Sequence, residues 1–494
     1  MTSTRIFLRD FFITLLLFLF PLFDAIRGNY IVDDAFISFR YARNLVQGAG
    51  LVFNHAERIE GYTNFLWTLI ITPAFWLSID PLLFSRIVSA TAGFATLIFL
   101  VRSGRSDLNK PAHLICIAPL LLAAHASFSV WLLAGMETHL FTFFVTAGVL
   151  SFINRNDEGN GTWSVFFVLA SLTRPEGLLF LFIAWIKRKR IPAKGSLSVF
   201  LPFLLLYLPY LIWKITYYGT VLPNTFHAKV GSEIGQLWRG LQYMISFLGS
   251  SGWFLFLLPL FLLVSEKGRQ RLKGTLLFVV PYCTYVILVG GDAMVKFRFL
   301  LPVLPILYLL ISEAIIFLSS FSRTRLTSGL IAAGLTAGAV FFTVDFDRSL
   351  VSRRKQMVMD WIETGRWIGV NYPDDTVIAL GSVGAIPYYS NLYTIDIFGL
   401  TEPHIARTEV SGMGKGLPGH EKADGAYVLS REPDLIFPKV VLAKEPPNPK
   451  KLGRLFMGSR AEKQMWLHPE FSRYYRPVTV ELDRGFLTYF TRRE

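Results

Sequence analysis

Long apolar runs broken by short polar intervals fill the first 345 residues, and a helix needs about 20 mostly apolar residues to cross a bilayer. Runs of that kind lie near 10–28, 64–80, 85–101, 112–128, 130–150, 164–185, 197–216, 241–265, 274–291, 300–320 and 326–344, which predicts eleven spans. The pattern then changes. Met357, Trp361, Trp367 and Ile368 recur among charges at helical spacing over 351–370. Short β-branched or aromatic runs follow at 377–380, 393–397, 435–442, 477–481 and 486–490 and predict strands. The expected fold is an α-helical polytopic membrane protein, residues 1–345, with a soluble C-terminal α/β domain, residues 346–494. No repeat of fixed period is visible.

Charge sharpens this division. Residues 1–345 hold 28 Lys+Arg and 17 Asp+Glu, whereas 346–494 hold 21 and 18. Charged residues are thus about 13% of the first part and about 26% of the second, the latter being ordinary for a soluble domain. The basic excess sits mainly in short loops of the apolar part, which orients spans and does not make a nucleic-acid-binding face. Lys187-Arg188-Lys189-Arg190, the run Lys267, Arg269, Arg271 and Lys273, and the pair Arg323 and Arg325 mark the cytoplasmic side. With a cytoplasmic N-terminus and eleven spans, 29–63, 217–240, 292–299 and the tail fall on the periplasmic face of an inner membrane. Arg102, Arg105 and Lys110 fall on the wrong side of this count, so the pairing of spans between 64 and 150 is open. Arg5 and Arg9 precede the first apolar run as in a signal peptide, but Phe23-Asp24-Ala25-Ile26-Arg27 offers no small-residue cleavage site, so the segment reads as a retained span. Cys116 and Cys283 lie in apolar runs and predict neither disulfide nor zinc site.

Ionisable residues at membrane depth are costly and mark candidate sites. Asp33 and Asp34 follow the first span directly; two adjacent carboxylates can supply a general base, although either could instead cap the helix beginning at Ala35. The same loop continues through Glu57, Glu60, Tyr62, Asn64 and Trp67, groups that bind sugars or merely order a polar loop. Glu137, and Arg174 with Glu176, place charge inside apolar stretches, where Arg174 and Glu176 could simply pair. Asn224, His227 and Lys229 offer donors for a phosphate oxygen, with Lys229 alternatively a snorkelling flank. Arg298 requires either Asp292 or an anionic ligand, and Asp396 at a strand end is either a sugar ligand or a turn residue. No P-loop, His-Glu-x-x-His or Gly-x-Ser-x-Gly motif occurs.

The stretch Asp33-Asp34-Ala35-Phe36-Ile37-Ser38 through Glu57-Arg58-Ile59-Glu60-Gly61-Tyr62-Thr63-Asn64-Phe65-Leu66-Trp67 resembles the first external loop of the mycobacterial terminal β-(1→2)-arabinofuranosyltransferase family and its bacterial relatives, of the GT-C class. Gly135-Met136-Glu137-Thr138, Thr173-Arg174-Pro175-Glu176-Gly177, Leu222-Pro223-Asn224-Thr225, Gly290-Gly291-Asp292, Arg298-Phe299 and Ile395-Asp396-Ile397-Phe398-Gly399-Leu400-Thr401 are similar to that family's later motifs, in order. The resemblance implies a polyprenyl-phosphate-sugar donor, a glycan acceptor, inversion, Asp33 as the catalytic acidic residue and Asp34 as its support. Charge and sidedness nominate Lys229, His227 and Arg298, with Asn224 and Arg174, for the donor phosphate. Glu57, Glu60, Tyr62, Asn64, Glu137, Asp292 and Asp396 are nominated for the acceptor sugar. No cofactor is expected; Mg²⁺ or Ca²⁺ is the alternative, but two carboxylates are few for a cage. The competing reading is a lipid-linked sugar flippase or transporter, which should show repeats and midplane polar groups, or a membrane assembly factor on the same scaffold.

Overall fold

The computed structural model describes residues 3–104, 112–153, 161–187, 193–231, 234–322, 324–344 and 347–493. Arg105, Lys110, Arg188, Lys189, Arg190, Arg323 and the boundary residue Asp345 lie outside them. Among the described residues six helices are long and apolar enough to cross a membrane: Thr4–Gly28, Pro81–Gly104, Leu197–Tyr218, Glu266–Leu288, Val295–Ser319 and Leu326–Thr343. Ile234–Ser250 and Trp253–Val264, bent by 85° at their junction, make a seventh if they form one span. The expected eleven are therefore not eleven continuous crossing helices.

The missing spans are short or broken for identifiable reasons. Arg174 and Pro175 split 164–185 into Thr162–Thr173 and Gly177–Lys187. Gly252 takes φ +69 where 241–265 bends, a conformation that ends a right-handed helix. Phe65–Trp76 has 12 residues and rises only about 18 Å, short of the hydrocarbon thickness of about 30 Å. Hydropathy averages over such breaks.

By contact the chain forms two compact units. The first comprises Met1–Tyr30, Ser85–Leu211 and Gly240–Val351; the second comprises Ile31–Phe84, Ile212–Arg239 and Ser352–Glu494. The first is helical and packed by aromatic rings, with Phe180 stacked on Phe167 at 5.9 Å and on Phe278 at 6.2 Å.

The second unit carries a five-stranded sheet: β1 (Val377–Leu380), β2 (Tyr393–Asp396), β3 (Leu435–Phe437), β4 (Tyr475–Leu482) and β5 (Gly485–Arg492), ordered β2-β1-β3-β5-β4. β1 pairs parallel with β2 and β3, and β5 antiparallel with β3 and β4. Alternate side chains of a strand face opposite sides, so Ala379, Ile395, Ile436 and Phe490 enter one apolar cluster and Ile378, Leu380, Leu435, Phe437 and Leu487 another. Burial on both faces explains why these strands read as short continuous apolar runs. The helix expected at 351–370 is observed as Ser349–Asn371, and its Ile368 joins the second cluster.

Two further helices of this unit position the site, α1 (Asp34–Val46) and α2 (Ala385–Ser390). Arg40 of α1 is buried and donates to Phe53 O (2.7 Å), Pro387 O (2.6 Å), Leu392 O (2.8 Å) and Asn54 Oδ1 (3.3 Å). Its guanidinium also lies 4.5 Å from the Phe53 ring centroid. Burial, with Arg43 adding to it, pushes the Arg40 pKa down to about 9. Replacing Arg40 by Met would remove four buried hydrogen bonds at once, each of the three carbonyls keeping one other donor. We expect Arg40→Met to destabilise the unit by about 2–4 kcal/mol. Thermal unfolding in detergent checks this, and an unchanged Tm would contradict it.

Candidate functional site

Asp33 occupies the N-cap position of α1 in helical geometry (φ −58, ψ −43), but its side chain makes no capping bond. The carboxylate turns instead to α2: Oδ1 accepts from Ala385 N at 2.7 Å and Oδ2 from Gly384 N at 3.0 Å. This close approach requires glycine at 384, because a Cβ there would sit 2.0 Å from the Asp33 carbonyl oxygen. Burial raises the Asp33 pKa to about 7; the two amides oppose the rise and the adjacent Asp34 adds to it. The Asp34 side chain, by contrast, makes no hydrogen bond or ion pair among the described residues, and its charge is felt by His420.

His420 opens onto a cavity of about 790 Å³ between the strand ends and the loops of the same unit, lined also by Arg354, Trp361, Phe398 and Lys415. Crowding by protein atoms lowers the His420 pKa although the ring keeps access to the cavity, and Lys229 and Arg354 act in the same direction. The Lys229 side chain packs over Gly419, where an added Cβ would lie 3.2 Å from its Cε. His227, two residues earlier, is held below the usual histidine pKa by partial burial and by the charges of Arg407 and Lys422. The unit thus brings Asp33, Asp34 and Lys229 into one neighbourhood, and adds His420, Arg354 and Lys415. Those three were missed because they are scattered through the tail, where charge ordinarily means a solvated surface.

The other loop residues nominated for sugar are engaged inside the fold. Glu57 accepts from Asn54 Nδ2 (3.0 Å) and from the Tyr393 hydroxyl. Glu60 pairs with Lys214 at 2.9 Å, a buried ion pair. Tyr62 meets the Tyr218 hydroxyl at 3.3 Å, and Asn64 exchanges hydrogen bonds with Ser38. Asn224 donates to Gly399 O (2.8 Å) and Leu400 O (3.1 Å). Asp396 accepts from Phe398 N (2.9 Å) and Thr401 N (2.8 Å), shaping the turn after β2; burial raises its pKa to about 6 against those donors.

In the first unit Arg174 is held by Glu137 and Glu176, each at 2.5 Å, so the local pair read from sequence is a triad. Arg298 pairs with Asp292 at 2.8 Å and lies 5.3 Å from the Trp131 ring centroid. Arg174 and Arg298 border a void of only about 10 Å³. Among the described residues no three His, Cys, Asp or Glu side chains converge as metal ligands. Asp33 has already committed both oxygens to backbone amides, so the pair offers few donors to a hard cation.

Residues 348–492 match a family described as a domain of unknown function, DUF8728. The terminal β-(1→2)-arabinofuranosyltransferase of Mycobacterium tuberculosis is 27% identical over 249 residues, 44% of this chain and 38% of that protein. The protein of the same name from Corynebacterium glutamicum is 28% identical over 336 residues, 56% of this chain and 47% of that one. The chain therefore spans less than half the length of these curated relatives. Among solved structures, ArnT from Cupriavidus metallidurans bound to undecaprenyl phosphate superposes with TM-score 0.59 at 10% identity, covering 99% of this chain and 98% of ArnT. The Archaeoglobus fulgidus oligosaccharyltransferase, in complex with Zn and sulfate, superposes with TM-score 0.53 at 10% identity, covering 97% and 72%. The chain is thus a multi-pass membrane protein with the fold of the GT-C glycosyltransferases, and in sequence it is similar to the terminal β-(1→2)-arabinofuranosyltransferases.

Proposed function

We propose that this protein is an inverting glycosyltransferase that moves a sugar from a polyprenyl-phosphate donor to a cell-envelope glycan on the extracytoplasmic face. The names of the relatives favour arabinofuranose as the sugar. The undecaprenyl phosphate bound to ArnT favours a lipid-linked donor. The observation that carries the reading is the Asp33 carboxylate, held by two backbone amides and raised to a pKa of about 7 beside a carboxylate that lacks a partner.

A general base works best with a pKa near the operating pH and an orientation fixed before the substrate arrives. Asp33 meets both conditions. In the proposed step Asp33 takes the proton of the acceptor hydroxyl while that oxygen bonds to the sugar C1. The bond from C1 to the phosphate oxygen breaks, its electron pair leaving with the phosphate. Asp34 orients the acceptor hydroxyl, and the Lys229 ammonium offsets charge developing on the leaving phosphate. His227, neutral at pH 7 by its lowered pKa, contributes a hydrogen bond and no charge.

Asp33→Asn should keep expression and fold but abolish transfer, read as a glycosidic linkage missing from the envelope glycan of a complemented deletion strain. Near-normal linkage in that strain would sink the assignment. Because the base acts deprotonated, kcat/KM should climb with pH and level off above about 7. Asp34 raises the Asp33 pKa, so Asp34→Asn should move this limb to lower pH as well as slow the reaction; a limb that stays in place would remove Asp33 from the role. Gly384→Ala drives a methyl group into the Asp33 backbone. It should lower kcat by about 100-fold or more, the scale of losing a positioned base. KM should change less, and activity close to wild type would show that the close approach at 384 is dispensable.

A further inference from the structure

The charges around the 790 Å³ cavity do not cancel. Of its two carboxylates, Glu421 is taken up by Arg239 (2.8 Å) and by the amides of Gly414 and Gly416, while Glu462 faces Lys439. Neither Arg354 nor Lys415 has a carboxylate partner among the described residues, and both line the cavity. Lys229 stands at the same end, close enough to act on His420. Trp361 adds an aromatic surface, its indole N–H donating to Val440 O at 2.9 Å. Aromatic faces with unmatched cations suit a sugar that carries an anion.

Size and position narrow the occupant. The volume lies within the range of about 300–1,000 Å³ usual for ligand pockets. All lining residues lie between 354 and 462, in the part of the chain whose charge content is that of a soluble domain, which suits a water-soluble glycan. A second, more open cavity of about 670 Å³ shares Ser411 and Arg460 with the first, and Arg460 donates to Ser411 O at 2.9 Å across the shared edge. Two basins joined at a ridge fit an extended chain better than a single small molecule.

Resting on the transferase reading, we infer that this cavity is the acceptor subsite and that the acceptor is an oligosaccharide bearing a negative charge, phosphate or carboxylate, held by Arg354 and Lys415. The test is binding by the full-length protein in nanodiscs, with phosphorylated mannopentaose, pentagalacturonate and neutral maltopentaose as probes. One of the anionic probes should bind at least about tenfold more tightly than maltopentaose, and the gap should shrink as salt rises. Which of the two binds better separates phosphate from carboxylate. R354Q/K415Q should erase the gap. Lys415 is exposed, so K415Q alone should narrow the gap even if the double variant fails to fold.

Equal binding of charged and neutral probes, no binding of either anion, or displacement of the anion by farnesyl phosphate would overturn the inference, the last by returning these cations to a lipid phosphate. Asp33→Asn should bind the probes like wild type. Charge-dependent binding together with intact transfer by Asp33→Asn would overturn the proposed chemistry and leave the cavity as an anionic-glycan site. Loss of transfer with charge-independent binding would overturn only the present inference.

Discussion

The geometry of the candidate site depends on how α1 grips α2. Asp33, at the start of α1, accepts the amides at the beginning of α2, while Arg40 donates to Pro387 O within it and Arg43 to Tyr388 O at 2.8 Å. A carboxylate at the amide end and guanidinium groups toward the carbonyl end match the direction of the helix dipole. The arrangement is demanding because Arg40 is buried and satisfied by neutral oxygens, so its charge depends on keeping all of these bonds. Holding α2 this way also holds the amides that aim Asp33, so packing and candidate chemistry share one set of bonds.

Charge is handled differently in the two units. In the first, Arg174 and Arg298 are answered by carboxylates at 2.5–2.8 Å, the arrangement expected where an uncompensated guanidinium would be costly. In the second, Glu60 and Lys214 follow the same rule, but Asp34, Arg354 and Lys415 do not. Unmatched charge beside an open cavity is free to recognise a ligand. Matched charge mainly keeps segments in register.

Chemistry and packing were only partly separable from residue type. Asp33 stood out because two carboxylates directly follow an apolar run, yet whether it caps α1 or turns to α2 depends on Gly384, some 350 residues away. Glu57, Glu60, Asn64 and Asn224 look like sugar ligands in a linear reading, since amides and carboxylates in a loop serve equally to bind sugar or to tie loops together. Their partners, Tyr393, Lys214, Ser38 and the carbonyls of Gly399 and Leu400, come mostly from distant segments and decide which use is made of them.

Period and composition alone determined the helix near 351–370 and the strands of the tail, because burial on a regular element imprints itself locally on the chain. Motif order likewise carried the likeness to the arabinofuranosyltransferases. Tertiary structure decided the rest. Whether an apolar run is one crossing helix depends on breaks at Arg174-Pro175 and Gly252 that averaged hydropathy hides. Which charges remain unpaired depends on partners brought together from distant parts of the chain, and Coulomb interactions follow distance in space, for which distance in sequence is no guide.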